Sequence, residues 1–327
     1  MSWFNPRILN VRGSRWIVYP LMLVIVTPLL WTTWLRLHPY HGFHVDNASI
    51  DIEMIQGGGP GRDDIPALTD PPVLSADAAD YLSDDDLVLG LMRNGEARAY
   101  PIRILNWHEI VNDQLGGEAV VVTFCPLCGT GMVFIGSHLG ERLDFGVSGL
   151  LYRDNLLMFD RQSQSLWSQL MGEAVSGPRV GARLQRLPVQ HLTWHEWLIN
   201  HPETTVLSEK TGYRRDYGED PYQFYAASPF APSGKEMLGP LPAKAWVIGL
   251  RIGKTAKAYP FASLALQAPS GILRDTVAGQ AIKIEYHALE RTAIIRDADG
   301  NILPSTSAFW FAWHDFHPES HIWTSTE

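Results

Sequence analysis

The sequence predicts a β-rich α+β fold, an internally duplicated soluble domain carried on a single N-terminal transmembrane helix. Three observations predict it. A charge-free apolar run lies near the start, a set of motifs recurs at fixed offsets, and the recurring segments read as short strands in hairpins rather than alternating strands and helices. With 46% hydrophobic and 19% charged residues, the 327-residue chain has the apolar mass for a sizeable core. Its formal net charge of -9 argues against nucleic acid as a partner.

Residues 1–16 form a basic tail with Arg7, Arg12 and Arg15 and no acid, and 17–36 are the predicted transmembrane helix. Ile17 to Leu35 carries no charge and as a helix rises about 28 Å, against a hydrocarbon core of about 30 Å. Trp16 and Tyr19 at one end and Trp31 and Trp34 at the other sit where interfacial aromatics belong. Arg36 is the only basic residue just beyond the span, so the arginine imbalance puts the N-terminus in the cytoplasm and the rest outside. No small-x-small cleavage site follows, which favours an uncleaved anchor over a signal peptide. Pro20 and Pro28 are tolerable in a membrane helix.

Residues 37–80 read as an extended tether, rich in Gly, Pro and Asp around Gly57 to Gly61. The glycine run is not a phosphate loop, because no Gly-Lys-Ser/Thr follows. His38, His41 and His44 are interrupted by Pro39 and Gly42 and read as solvated histidines.

Copy one spans 81–212, a connection 213–245, and copy two 246–327. Val88-Leu89-Gly90-Leu91 and Ala97 to Pro101 recur as Val247 to Leu250 and Ala256 to Pro260, an offset of 159. Asp113, Gly117, Ala119 and Val120 answer to Asp275, Gly279, Ala281 and Ile282, an offset of 162. Leu187-Pro188, Trp194, Trp197 and His201 to Thr204 answer to Leu303-Pro304, Trp310, Trp313 and His317 to Ser320, an offset of 116. The difference leaves copy one with about 46 extra residues between Phe134 and Leu187.

Two copies in one chain are an internal control: what both keep serves the fold, and what only one keeps is free to serve chemistry. Tyr100-Pro101 with Tyr259-Pro260, the tryptophans at i, i+3 and the His-Pro-Glu turns are therefore architecture. Copy one alone has Asn106, His108, Glu109 and the cysteines, since the 162 offset puts His287 at Cys125 and Glu290 at Cys128.

Leu87 to Met92 and Ala97 to Tyr100 predict a hairpin turning at Asn94-Gly95, followed by a short helix over Ile102 to Asn112. Glu118 to Phe124 and Gly131 to Ile135 predict paired strands across the cysteine loop. Copy two predicts strands at Trp246 to Ile252, Thr255 to Tyr259, Ala281 to Tyr286 and Thr292 to Arg296. The connection shows no clear period and reads as a long ordered segment.

Cys125 and Cys128 are the only cysteines and end a β-branched run, VVVTFCPLCGTGMVF, from 120 to 134. Their spacing lets the sulfurs form a disulfide or share a metal. As a staple a disulfide here closes only four residues, worth at best about 2 kcal/mol. Glutaredoxin-like sites continue from such a motif into a helix that lowers the first thiol's pKa, whereas Gly129 to Val133 reads as a turn and another strand. Zinc, or another thiolate-bound metal, is the cofactor class this spacing admits, with His108 and His138 as further ligand candidates, neither at a standard spacing. Redox pair, metal site and thiol pair without turnover all remain open. The insertion adds a polar and aromatic set, Ser148, Tyr152, Arg153, Asp154, Asp160, Arg161, Trp167, Ser168 and Gln169. Gly146 to Gly149 is not a nucleophile elbow, because its second glycine comes one residue early. The Asp160-Arg161 neighbourhood reads as a buried ion pair.

Ala-Arg-Ala-Tyr-Pro at 97–101, Leu-Asn-Trp-His-Glu at 105–109, Cys-Pro-Leu-Cys-Gly-Thr at 125–130, Phe-Gly-Val-Ser-Gly-Leu-Leu-Tyr at 145–152, Phe-Asp-Arg at 159–161 and Leu-Trp-Ser-Gln at 166–169 together resemble the bacterial family catalogued as domain of unknown function 3179. The resemblance covers roughly residues 60–325 and implies no agreed activity. Selenocysteine at this loop in some relatives, also implied by the resemblance, favours redox chemistry.

The expected location is the bacterial inner membrane with the main domain periplasmic. The expected function is an accessory structural subunit docked on a larger membrane protein complex such as a respiratory or photosynthetic assembly, because aromatic belts suit docking and no cofactor motif or general base is legible. The alternative is thiol-disulfide redox or metal handling by Cys125 and Cys128, with Asn106, His108 and Glu109 as neighbours.

Overall fold

The computed structural model describes residues 40–234, 239–267 and 271–324, and Phe43 onward is one compact unit. The helix predicted over 17–36 lies outside the described residues. Among those described, no helix is long and apolar enough to cross a membrane.

Ahead of copy one lie β1 (Ile55–Gly57), β2 (Leu68–Thr69) and β3 (Val73–Ser75). Copy one runs through β4 (Leu87–Arg93), β5 (Glu96–Pro101), α1 (Ile102–His108), β6 (Ile110–Leu115), β7 (Glu118–Cys125) and β8 (Thr130–Ile135). The insertion supplies β9 (Ser137–His138), β10 (Glu141–Arg142), β11 (Phe145–Tyr152), β12 (Asn155–Asp160), β13 (Leu166–Ser168) and β14 (Glu173–Ser176). Copy one then resumes with β15 (Arg186–Leu187), β16 (Gln190–Thr193), α2 (Trp194–Asn200) and β17 (Thr205–Leu207), and the connection holds α3 (Gln223–Ala227). Copy two runs through β18 (Trp246–Ile252), β19 (Thr255–Pro260), α4 (Phe261–Gln267), β20 (Ile272–Val277), β21 (Gln280–His287) and β22 (Thr292–Asp297). It ends with β23 (Thr306–Phe309), α5 (Trp310–Phe316) and β24 (His321–Ile322). Hairpin, helix, three-stranded meander, strand, helix and strand thus occur twice in the same order.

The halves are interlocked. Copy two's meander joins copy one's sheet through β22 and β16, giving the order β20-β21-β22-β16-β4-β5-β17-β3. Copy one's meander lies in a separate sheet, β15-β8-β7-β6-β2, with β8 beside copy two's β23. There the Phe309 N–H donates to the Cys128 carbonyl at 2.8 Å. The insertion forms a third sheet, β1-β11-β12-β13-β14, and Phe145, Trp167, Phe309, Phe311 and both cysteines share one buried cluster.

Each repeated motif has a repeated contact. Trp197 lies on Gly90, where an added Cβ would fall 2.2 Å from the ring, and Trp313 lies on Gly249, where it would fall 2.4 Å away. The Trp197 indole N–H donates to Thr204 Oγ1 at 2.9 Å, and that of Trp313 to Ser320 Oγ at 2.8 Å. The Tyr100 hydroxyl donates to Asp113 at 2.9 Å and the Tyr259 hydroxyl to Asp275 at 2.7 Å, and each carboxylate also pairs with a cation, Arg98 or Lys257.

Three expectations are corrected. The extended tether over 37–80 is, from Phe43 on, packed structure: β1 pairs with β11, β2 with β6 and β3 with β17, and Phe43 packs on Phe159. Phe43, Val45, Ile55 and Leu68 are buried one by one against the domain, a pattern without a period, while Ile52, Met54 and Val73 stay exposed. The helix over Ile102 to Asn112 stops at His108, because Glu109 takes φ 57 and Ile110 starts a strand. Asp160 and Arg161 are not partners. Buried Asp160 accepts from Ser163 and from the Trp167 indole at 2.9 Å and forms its ion pair with Arg179 at 3.6 Å, while Arg161 pairs with Asp63 at the surface.

Gly90→Ala forces a methyl into the Trp197 ring, and we expect urea unfolding to show a loss of about 1–3 kcal/mol. Stability unchanged by that methyl would contradict the role given to the contact.

Candidate functional site: a buried dithiol between the copies

The cysteine loop turns from β7 into β8 and is buried on every side. Cys125 is 2% exposed and Cys128 0%, both thiols are free, and the sulfurs lie 2.9 Å apart. The Cys128 N–H closes the turn on the Cys125 carbonyl at 3.1 Å. Gly129 has φ 65 and lies under the Trp246 ring, where an added Cβ would sit 2.3 Å from a ring carbon. Only glycine meets both demands.

The insertion supplies the polar frame. The Cys128 thiol donates to the Asp154 carbonyl at 2.9 Å, and Asn155 Nδ2 lies 3.5 Å from the same sulfur. Arg153 and Asp154 have φ 49 and 61, so the β11–β12 hairpin turns on two left-handed residues without a glycine. Gln56 and Ser233 grip the Asp154 carboxylate, the latter at 2.7 Å. Gln169 Oε1 accepts from Thr130 at 2.8 Å and from Asn155 at 2.9 Å, and its amide donates to Thr123 at 2.9 Å.

The connection covers the other side. Arg103 and Trp107 donate to the carbonyls of Tyr217 and Glu219, which lays this segment across α1. The Tyr225 hydroxyl then donates to the Leu127 carbonyl at 2.8 Å, and the Lys244 ammonium sits 3.2 Å over the Tyr225 ring. A cavity of about 310 Å³ opens beside the loop, lined among others by Leu127, Tyr225, Phe230 and Gln56.

Glu109 is the titratable group built into this chamber. It is buried, its backbone N–H bonds the Leu105 carbonyl, and its own carbonyl accepts the Phe124 N–H at 2.7 Å. Copy two places Gly271, φ 72, at the equivalent position, and Gly271 accepts the Tyr286 N–H at 2.9 Å in the same way. Copy one thus holds a carboxylate in a sparsely populated positive-φ geometry that suits glycine, which costs about 1–3 kcal/mol. Burial pushes the Glu109 carboxyl up to about 8, partly offset by a hydrogen bond with Tyr222. Burial and then the neighbouring Glu109 and Cys125 hold the Tyr222 phenol well above its usual range. Burial, reinforced by the Cys125 sulfur, likewise pushes the Cys128 thiol well up. Tyr222 thus bonds Glu109 and feels the Cys125 sulfur, which sets the three groups in one buried neighbourhood.

The other predicted neighbours lie elsewhere. Asn106 donates to Asp220 at 3.1 Å. His108 donates to the Pro66 carbonyl through Nδ1 and bonds the Tyr217 hydroxyl through Nε2, each at 2.7 Å, so both ring nitrogens are occupied. Burial lowers its pKa. His138 sits edge-on to Trp167. Among the described residues, neither histidine joins the two thiols in a group of three ligand atoms. Tyr222, Tyr225, Asn155 and Thr130 escape sequence reasoning. The first two come from a segment without a period, and Thr130 matches Thr292 and so counts as architecture.

Fold and site define a duplicated β-rich domain enclosing a dithiol loop. The chain belongs to the family described as Protein of unknown function (DUF3179), whose profile matches residues 62–320. No curated protein and no solved structure matches it.

Glu109 fixes a pH dependence. Its folded pKa of about 8 lies above the ordinary 4.5, so between these values the folded chain holds a proton the unfolded chain has lost. The stabilisation this confers is full below the ordinary value and is lost as pH rises through the folded one. Relative to Glu109→Gln, wild type should lose up to roughly 1.4 kcal/mol per pH unit between about pH 5 and pH 8 in urea unfolding. Parallel curves would contradict a buried, protonated Glu109.

Proposed function

We propose that this is a membrane-anchored, periplasm-facing protein whose Cys125 and Cys128 cycle between dithiol and disulfide. The observation that carries the reading is the pair of sulfurs 2.9 Å apart in a chamber that also encloses Glu109 and Tyr222. Oxidation joins the two sulfurs and passes two electrons and two protons to a small disulfide, which leaves as two thiols. Burial of both thiols favours a small acceptor, reaching the loop from the Leu127 side, over a docked protein disulfide. A periplasmic location suits a cycling disulfide. The anchor rests on the apolar run at 17–36 and the arginines before it.

A second reading, the accessory structural subunit of a larger membrane complex, is favoured by the apolar residues on the connection. Phe224 is 83% exposed and Phe230 49%, an arrangement that suits a protein partner.

Alkylation followed by intact-mass measurement across glutathione redox buffers tests the first reading. It predicts one two-electron transition, abolished by Cys125→Ser or Cys128→Ser. Thiols that stay reduced or oxidised throughout, together with copurification at fixed stoichiometry with one large complex in mild detergent, would replace it with the second.

A further inference from the structure

The loop between β21 and β22 stands in copy two where the cysteine loop stands in copy one. His287-Ala288-Leu289-Glu290-Arg291-Thr292 falls on Cys125-Pro126-Leu127-Cys128-Gly129-Thr130 at the 162 offset. The first and fourth positions therefore carry a histidine and a glutamate in place of two cysteines. Each loop also meets the start of the other copy's helix. Ala312 on α5 shares the cluster of the two cysteines, and its counterpart on α2 at the 116 offset is Glu196, which meets His287.

His287 Nδ1 lies 3.2 Å from Glu290 Oε2 and also contacts Glu196 Oε1. The three ligand atoms all lie within 4.8 Å of one another. A single ring nitrogen holds at most one proton and cannot satisfy two carboxylates that converge on it, whereas a divalent cation at their centre can satisfy all three. Glu196 is held in place from behind. Its Oε2 accepts from the Thr193 N–H at 3.1 Å and the Thr193 hydroxyl at 3.2 Å, and Thr292 donates to Oε1 at 3.4 Å. Such outer partners are what fix ligand orientation in metal sites. The nearby cation, Arg291, places its guanidinium over the Trp246 ring. The His287 side chain is 62% exposed, and a groove of about 250 Å³ lined by Leu192, Ile199 and Tyr286 runs from the cluster.

We propose that Glu196, His287 and Glu290 bind one zinc-class divalent cation with a coordination position open to solvent. The ion bridges α2 of copy one to the meander of copy two. This site is independent of the dithiol reading.

The test uses tag-free, full-length protein in detergent, stripped with chelator and titrated with Co²⁺ and with Zn²⁺. Co²⁺ should give weak visible d–d bands without the near-UV sulfur charge-transfer band. Zn²⁺ should bind at a single equivalent in competition with a chromophoric chelator. His287→Ala and the surface change Glu290→Gln should each weaken binding by roughly tenfold or more, while Cys125→Ser, Cys128→Ser leaves it unchanged. A thiolate charge-transfer band, affinity unaffected by both loop variants, or no binding would each overturn the proposal.

Discussion

An indole lying on a strand glycine holds each half of this molecule. With Trp197 on Gly90 and Trp313 on Gly249, the helix that follows β16 or β23 must fold back over its own sheet at once. That leaves the start of each helix facing outward, at the height where the other copy's meander turns. The Phe309 N–H, which has no capping side chain of its own, finds the Cys128 carbonyl, while in copy one Thr193 and Glu196 form a capping box. One backbone plan thus produces two loop-to-helix junctions that differ in chemistry: a sealed one with two thiols and an open one with a histidine and two carboxylates.

The seal comes from what copy one adds to that plan. The insertion brings Asp154, Asn155 and Gln169 to the sulfurs, and the connection brings Tyr222 and Tyr225. In thioredoxin-type sites a helix start lowers a thiol's pKa. Here β8 follows the loop, and burial with the paired sulfur raises the Cys128 pKa instead. Beside the loop, burial likewise favours the protonated form of Glu109, kept at a position where copy two has glycine. Two left-handed residues at the β11–β12 turn are the corresponding backbone strain on the insertion side.

Much of this was legible in the sequence because the chain contains its own comparison. The offsets of 159, 162 and 116 match tryptophan to tryptophan, and each matched pair makes the same contact. The same comparison directed attention to Cys125, Cys128 and Glu109. It could not reveal the exchange of meanders, since strand pairing between copies leaves no local pattern. It also passed over residues that act by position, such as Phe43 and Leu68 in the segment read as a tether, and Tyr222 in the connection. Nor could it show that the two ring nitrogens of His108 are engaged by Pro66 and Tyr217, partners 42 and 109 residues away in the chain.

The most direct test of the central claim is the midpoint potential of Cys125/Cys128 as a function of pH. Two electrons leaving with two protons predict a fall of about 59 mV per pH unit that continues through neutrality, because the Cys128 thiol stays protonated there. A break to half that slope near pH 7 would reveal a stabilised thiolate and contradict the account of a buried dithiol.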